Sequence, residues 1–164
     1  MSLTAGNIES AYQTIGLISD THGLVRPEAL EALRDSDLLI HAGDIGKPEV
    51  LAALKGIAPL IAIKGNIDTG PWAKRLPETK KVTLGTTKLY VIHNVKELTF
   101  NPAANGFRLV ISGHSHRPLV ATKDNVLFVN PGSAGPRRFK LPVSVGRIVL
   151  NGDTINAEII ELTI

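Results

Sequence analysis

Thr14-Ile15-Gly16-Leu17-Ile18-Ser19-Asp20-Thr21-His22-Gly23 is a compact strand-like run that ends at once in a carboxylate, an imidazole and a glycine. A short apolar run closed by turn residues reads as a buried strand. The same grammar recurs four more times. Asp37-Leu38-Leu39-Ile40-His41-Ala42 leads into Gly43-Asp44, and Pro59-Leu60-Ile61-Ala62-Ile63-Lys64 into Gly65-Asn66-Ile67-Asp68. Lys88-Leu89-Tyr90-Val91-Ile92 ends at His93-Asn94, and Arg108-Leu109-Val110-Ile111-Ser112 at Gly113-His114-Ser115-His116. In every case the polar, ligand-type side chains follow the run and never precede it.

Helical signals separate the first three runs: Pro27 with Ala29, Leu30 and Leu33, then Pro48 with Val50, Leu51 and Leu54. Proline suits a first helical turn, and the apolar spacing fits one buried face. The order is therefore βαβαβ. Buried strands alternating with helices pair in parallel, and ligands of open α/β sheets gather beyond the carboxyl ends of the strands. Five distant clusters are thus expected to meet in one pocket. The second half reads as strands, with a hairpin over 82–91 around Gly85-Thr86-Thr87 and another over 145–160 around Asn151-Gly152, a strong hairpin dipeptide. With no repeat or linker-like stretch, residues 14–164 are expected to form a single domain. Residues 1–13 read as a disordered leader or tag remnant.

Composition narrows the function classes. The 164 residues include no cysteine, which removes disulfides, thiolate metal sites and cysteine nucleophiles and suits a reducing cytoplasm. No secretory pattern opens the chain, and its apolar runs are far shorter than the roughly 20 residues of a membrane helix. A cytoplasmic protein without a membrane partner is expected. The net charge of +3 leans mildly toward an anionic substrate, but aromatics make up only 4%, too few for a stacking platform along single-stranded nucleic acid. Nucleic acid is therefore disfavoured as a partner though left open, as is a homo-oligomer.

Asp20, His22, Asp44, Asn66, His93, His114 and His116 offer only oxygen and imidazole donors. That set suits Mn²⁺ first, with Ni²⁺, Zn²⁺ or Fe²⁺ as alternatives, and less so the oxygen-loving Mg²⁺ or Ca²⁺. The set exceeds the needs of one tetrahedral ion, so two divalent ions sharing a carboxylate are the economical reading, with Asp44 as the bridge. Paired ions activate a water and stabilise both oxygens of an in-line displacement, which is phosphoester hydrolysis. Gly43-Asp44-Ile45-Gly46-Lys47 is no phosphate-binding P-loop, since Pro48 stands where Ser or Thr is required.

Asp20-Thr21-His22-Gly23, Gly43-Asp44, Gly65-Asn66, His93 and Gly113-His114-Ser115-His116, in that order, resemble the five motifs of the calcineurin-like metallophosphoesterase superfamily. The short chain is similar to its small YfcE-like prokaryotic phosphodiesterase subgroup. The resemblance implies an α/β (α+β) fold: a two-sheet β-sandwich flanked by helices in four αββα layers, with the metals at one end of the sheets. It implies one ion on Asp20, His22 and His116, the other on Asn66, His93 and His114, with Asp44 between them and a bridging hydroxide as nucleophile. Asp44, Asn66 and Asp68 carry over as the catalytic set acting on a small phosphoester, most naturally a diester. Asp68 is expected to support Asn66 or the His22 side rather than to bind metal.

Two positions depart from the pattern. The family often has a histidine after the motif asparagine, where it protonates the leaving group; here Ile67 stands, with no proton to give. The usual Gly after the fourth-motif histidine is Asn94, and the segment 96–107 is short where relatives carry a longer helix. The alternative reading is a catalytically weak scaffold, as in the retromer subunit that resembles this subgroup and also lacks the histidine. Outside the motifs, His41 is expected to pack or to support a ligand. Asn130-Pro131-Gly132-Ser133 reads as a structural turn, and Arg137 and Arg138 as solvated.

Overall fold

The computed structural model describes residues 13–164. Two five-stranded sheets stack face to face, each mixed. In the first, β1 (Thr14–Ile18), β2 (Leu38–His41) and β3 (Leu60–Ala62) run parallel, linked by α1 (Pro27–Leu33) and α2 (Pro48–Lys55). This is the βαβαβ unit anticipated from the chain. The strands β9 (Ser144–Asn151) and β10 (Thr154–Glu161) return from the chain's end, β9 antiparallel against β1.

The second sheet has the order β4-β5-β6-β8-β7. Its parallel centre is β5 (Thr87–Ile92), β6 (Leu109–Ile111) and β8 (Val126–Asn130), with β4 (Thr79–Leu84) and β7 (Leu119–Lys123) antiparallel at the edges. The two sheets thus share one device. Parallel central strands all point their carboxyl ends the same way, and the polar motifs follow those ends.

Three apolar layers hold the sandwich. Ile15, Leu17, Leu38, Ile40, Leu89, Val91, Leu109, Ile111 and Ile148 fill the space between the sheets. Alternate residues of the first sheet, Ile18 and Leu39, face the helices and meet Ala29, Leu33, Val50 and Leu54, as the two-residue period of a strand requires. Gly16 lies on that helix-facing side, where an added Cβ would come within 2.7 Å of Leu33 Cδ2; a side chain there would push α1 off the sheet. Outside the second sheet, Tyr90, Ile92, Phe107 and Val110 are covered by Leu98 and Phe100 from a 3₁₀ turn (Val95–Glu97) and an irregular loop. That short cover is the shortened segment noticed in the sequence, and the outer layer here is loop rather than helix.

Local differences from the sequence reading have simple causes. The last hairpin pairs Asn151 with Thr154, so its loop is Gly152-Asp153, with Gly152 at φ +62 taking the first central position. A third hairpin, β7–β8, escaped notice; Asp124 and Asn125 turn it with φ of +53 and +64, a pair suited to such positive angles. Gln13, counted with the leader, donates to Asp37 Oδ2 and accepts from the Leu150 N–H, so it extends the edge of β1. The rest of the expected leader, 1–12, lies outside the described residues. Among those described, no helix is long and apolar enough to cross a membrane.

Leu109 is fully buried at the centre of the second sheet. Leu109→Ala is expected to lower unfolding stability by about 2–5 kcal/mol through lost burial and the cavity left behind. Urea denaturation checks this; a loss below about 1 kcal/mol would mean that this layer is not the close-packed core described.

Candidate metal centre

Backbone pairing continues past the strand ends and sets the ligand loops against one another. Asp20 N–H donates to the Gly43 carbonyl (3.0 Å), His22 N–H to Asp44 (3.0 Å), and Gly23 N–H to Ile45 (2.7 Å). Across the second sheet, Gly113 N–H donates to the His93 carbonyl (2.9 Å). The glycines before the ligands make this closeness feasible. A Cβ on Gly65 would overlap the Asp44 side chain and backbone nitrogen, and one on Gly113 would meet Asp20 Oδ2 at 2.6 Å. Five ligand candidates adopt left-handed backbone angles: Asp20 (φ +55), His22 (+48), Asp44 (+58), His114 (+71) and His116 (+62). Each such angle costs a non-glycine residue about 1–2 kcal/mol, and Asp and His tolerate it better than branched residues. Strain gathered in one place is characteristic of a functional site.

Each carboxylate is fixed by one oxygen and bare at the other. Asp20 Oδ2 accepts from the Ser19 hydroxyl (2.7 Å) and the His114 N–H (3.0 Å). Its Oδ1, buried with no hydrogen-bond partner among the described residues, lies 3.5 Å from His116 Nε2 and 3.9 Å from His93 Nε2. Asp44 Oδ1 accepts from the Ile67 N–H (3.2 Å), and Oδ2 lies 3.3 Å from His93 Nε2 and 3.8 Å from His22 Nε2. His22 Nε2, His93 Nε2 and His116 Nδ1 are likewise buried without partners. His93 Nδ1 sits 2.7 Å from the Ala42 carbonyl and donates there, which turns its Nε2 toward the carboxylates.

Among the described residues, two groups of three ligand atoms are compact enough to hold an ion, Asp20-His22-His116 and Asp20-Asp44-His93, each with its atoms within 4.8 Å of one another. Asp20 belongs to both, and Asp44 Oδ2 also reaches histidines of both. The other two candidates lie at the edge. His114 stands exposed with its ring edge-on to His93 at 5.2 Å, and Asn66 is exposed on a cleft of about 730 Å³ that it shares with His93, Asn94, Tyr90, Lys64 and Lys74.

Electrostatics follow from the crowding. Burial pushes Asp20 above the ordinary carboxylate value, against the pull of Ser19, His93 and His116. Burial opposes ionisation of Asp44 too, but the His93 imidazole beside its Oδ2 (3.3 Å), with the Ile67 N–H, outweighs it and holds Asp44 down to about 2. Burial also disfavours a charged His93, yet Asp44, the Ala42 carbonyl and Asp20 move it above the usual histidine value. A proton between these carboxylates does what a cation would do. Orphaned lone pairs, imidazole-carboxylate chemistry and this appetite for positive charge all fit divalent metal.

Supporting residues surround the cluster. Asp68 accepts three backbone N–H groups, from Ile45 (3.1 Å), Gly46 (2.9 Å) and Gly65 (2.8 Å). It is a buried strut between the Asp44 and Asn66 loops, with both oxygens engaged away from the metal positions. His41 is neutral, held to about 3 by burial and the nearby His93; its Nδ1 accepts from Gly43 N–H, and its Nε2–H donates to Thr21 Oγ1. Asn130 and Ser133, read from sequence as a turn, grip the ligand loops: Asn130 Nδ2 donates to the Gly113 carbonyl (2.9 Å), and Ser133 Oγ to the Asp20 carbonyl (3.0 Å). Ser19 went unnoticed in the sequence, although a hydroxyl directly before a motif aspartate was there to be seen. Arg137 and Arg138 are exposed.

A two-sheet sandwich with carboxylates and imidazoles crowded at the ends of its parallel strands defines a metal-centred phosphoesterase scaffold. The chain belongs to the calcineurin-like phosphoesterase superfamily, whose domain matches residues 14–153. It is 32% identical over 159 residues to a "Probable metallophosphoesterase" of Methanothermobacter thermautotrophicus, covering 90% of this chain and 91% of that one. It is 27% identical over 150 residues to "Phosphodiesterase YfcE" of Escherichia coli K12, covering 75% and 78%. Among solved structures, Vps29 of Chaetomium thermophilum superposes with a TM-score of 0.74 at 18% identity, covering 92% of this chain and 97% of that one, a likeness of fold.

Because Asp20 titrates higher in the folded than in the unfolded chain, its ionisation withdraws stability as pH rises above the unfolded value of about 4. Below that value both states are protonated and nothing is withdrawn. In EDTA-treated protein, Asp20→Asn is therefore expected to raise Tm at pH 7, an advantage that fades toward pH 4. Thermal unfolding across that range checks it; a variant less stable than wild type at pH 7 contradicts it. Asp68→Ala, in contrast, strands three N–H groups and is expected to cost about 2–4 kcal/mol in urea unfolding.

Proposed function

We propose that this protein is a metal-dependent phosphoesterase acting on phosphodiesters, with a centre of two divalent ions, Mn²⁺ first among them. The observation that supports it most is the pair of half-fixed carboxylates: among the described residues, the second oxygens of Asp20 and Asp44 both face the partnerless Nε2 of His93, and that of Asp44 also faces the partnerless Nε2 of His22. Asp20, His22 and His116 would hold one ion, and Asn66, His93 and His114 the other, with Asp44 between. When bound, such ions bring a water's pKa near neutrality and neutralise charge on the transferring phosphoryl group.

The chain's own residues supply the rest. Ser19 and the His114 N–H fix the Asp20 carboxylate, the Ile67 N–H fixes Asp44, and Ala42 orients His93. Asp68 acts through the loops it ties and is a positioning residue. The cleft beside Asn66 and His93 is large enough for a small phosphoester. Ile67, 44% exposed, stands beside Asn66 without a transferable proton, so leaving groups must depart unaided. That favours diesters with good leaving groups. The same isoleucine supports a second reading, a protein-binding scaffold of this fold; metal binding without hydrolysis, together with a stable protein partner, would favour it.

Purified protein with Mn²⁺ is expected to hydrolyse bis(p-nitrophenyl) phosphate, with activity lost in EDTA and cut about 10²–10³-fold in Asp44→Asn. Silence with Mn²⁺, Ni²⁺, Zn²⁺ and Fe²⁺ alike would refute the enzymatic reading. Across aryl methyl phosphates, the rate is expected to fall steeply as the leaving group becomes more basic. Ile67→His is expected to flatten that dependence, gaining up to about 10²-fold on the poorest leaving group.

A further inference from the structure

Lys64 opens the Asn66 loop, and the backbone on either side of it is pinned. Ile63 before it is fully buried, and Gly65 after it packs so closely on Asp44 that an added Cβ would overlap that carboxylate. The Lys64 N–H donates to the Pro77 carbonyl (2.9 Å), and the loop that follows is closed by the Gly65 N–H on Asp68 Oδ2 (2.8 Å). Asn66 is two residues on, so its Cα lies within about 7 Å of that of Lys64. The lysine side chain therefore starts from fixed backbone beside the ligand candidates. It also lines the cleft of about 730 Å³ whose wall includes Asn66 and His93. One continuous cleft thus presents two ligand candidates and this cation together.

The charge on that side chain is uncompensated. Lys64 is half-buried, yet among the described residues it takes part in no ion pair. A lysine on plain surface covers apolar area with its stem and leaves its head in open water. Lys64 instead belongs to the wall of a cleft, where water is displaced when a ligand enters and an ammonium gains more from an anion than it does in bulk solvent. The other free charges of the cleft are Lys74, Glu78 and Glu97, all exposed. Two acids against one base do not draw anions in indiscriminately, so the favourable place for a negative group is the Lys64 end, next to Asn66. The cleft also has room well beyond a single phosphate group, and a phosphate seated at the ligand candidates alone leaves that room and this cation unused.

We propose that Lys64 is a specificity-determining residue of this site and that it selects phosphoesters whose cleft-side substituent carries a second phosphate, bound by the Lys64 ammonium. The proposal rests on the phosphoesterase reading for the place of the first phosphate. An ammonium is a compact charge with three donors on a flexible stem, so it takes a phosphate oxygen without demanding one orientation of the group. A charge-assisted hydrogen bond of this kind suffices for a preference of about tenfold.

Calorimetric titration of the Mn²⁺-loaded protein with alkanediol bisphosphates of graded chain length, each against the matching monophosphate, tests it. At the best-fitting length the bisphosphate is expected to bind about tenfold tighter. Lys64→Ala is expected to abolish that preference, Lys64→Arg to keep most of it by retaining the charge, and Lys74→Ala to leave it in place. Equal affinity of bisphosphate and monophosphate at every length, a preference that survives Lys64→Ala, or one that depends on Lys74 instead, overturns the proposal. Hydrolysis of bis(p-nitrophenyl) phosphate by the same wild-type sample separates the two claims. A Lys64-dependent preference without turnover sustains the role of this lysine and removes the catalytic reading, whereas turnover without the preference does the reverse.

Discussion

Asp20 and Asp44 bring carboxylate oxygens within 4.8 Å of one another in a place that water scarcely reaches. Two like charges there are tolerable only with compensation, and the structure provides it in layers. Ser19 and the His114 N–H hold one oxygen of Asp20, and the Ile67 N–H one oxygen of Asp44. Neither set of donors satisfies the second oxygen. What remains is a negative, imidazole-ringed space, and its opposed shifts, Asp20 and His93 up and Asp44 down, are the signature of groups competing for too little positive charge. Divalent cations resolve that competition, which is why the cluster reads as a metal centre before any likeness to other proteins is considered.

Such a cluster does not hold itself together. Its residues sit on five loops, five of its side chains hang from left-handed backbone, and glycines such as Gly65 and Gly113 let loops touch where any Cβ would part them. The constraint comes from the sandwich. Because β1, β2 and β3 and then β5, β6 and β8 run parallel within their sheets, the six carboxyl ends crowd one edge of a close-packed core. Hydrogen bonds that continue strand pairing into the loops, such as Asp20 to Gly43 and Gly113 to His93, carry that rigidity into the site. Asp68, Asn130 and Ser133 finish the work by tying loop to loop. Strain at the ligands is over-determined by contacts well away from them.

This division explains what the chain discloses. The parallel strands were legible because burial on both faces leaves nearly continuous apolar runs, as in Leu38-Leu39-Ile40 and Leu109-Val110-Ile111. The ligand candidates were legible because polar residues directly after such runs have no packing reason to be there. The supports were harder to read. Ser19, Asn130 and Ser133 are ordinary turn or strand-end residues, and only the approach of loops more than a hundred residues apart, Ser133 to Asp20, gives them a task. β7 was missed since all its side chains are exposed and no burial pattern marks it. Asp68 shows the same limit: a carboxylate two residues past a ligand candidate has the same appearance whether it acts on substrate or, as here, gathers three backbone N–H groups.

The surroundings of the centre are unequal, and the inequality bears on what can enter it. On the Asn66 and His93 side, a 3₁₀ turn and loop replace a longer helical cover and leave an open cleft with Lys64, Lys74 and Tyr90 in its wall. On the His22 and His116 side, the ligand loop is backed by Gly135, which packs on the Asp20 and Thr21 carbonyls and accepts from the Arg26 guanidinium. On the proposed reading, the two substituents of a phosphodiester would meet these flanks unequally, one toward the open cleft and the other toward the backed side. Ile67, on the Asn66 loop with its N–H on Asp44 Oδ1, would offer a departing group apolar contact and no proton. On the proposed reading, the metal cluster would select a phosphoester as the bond to break, and the two flanks would select which phosphoester is presented to it.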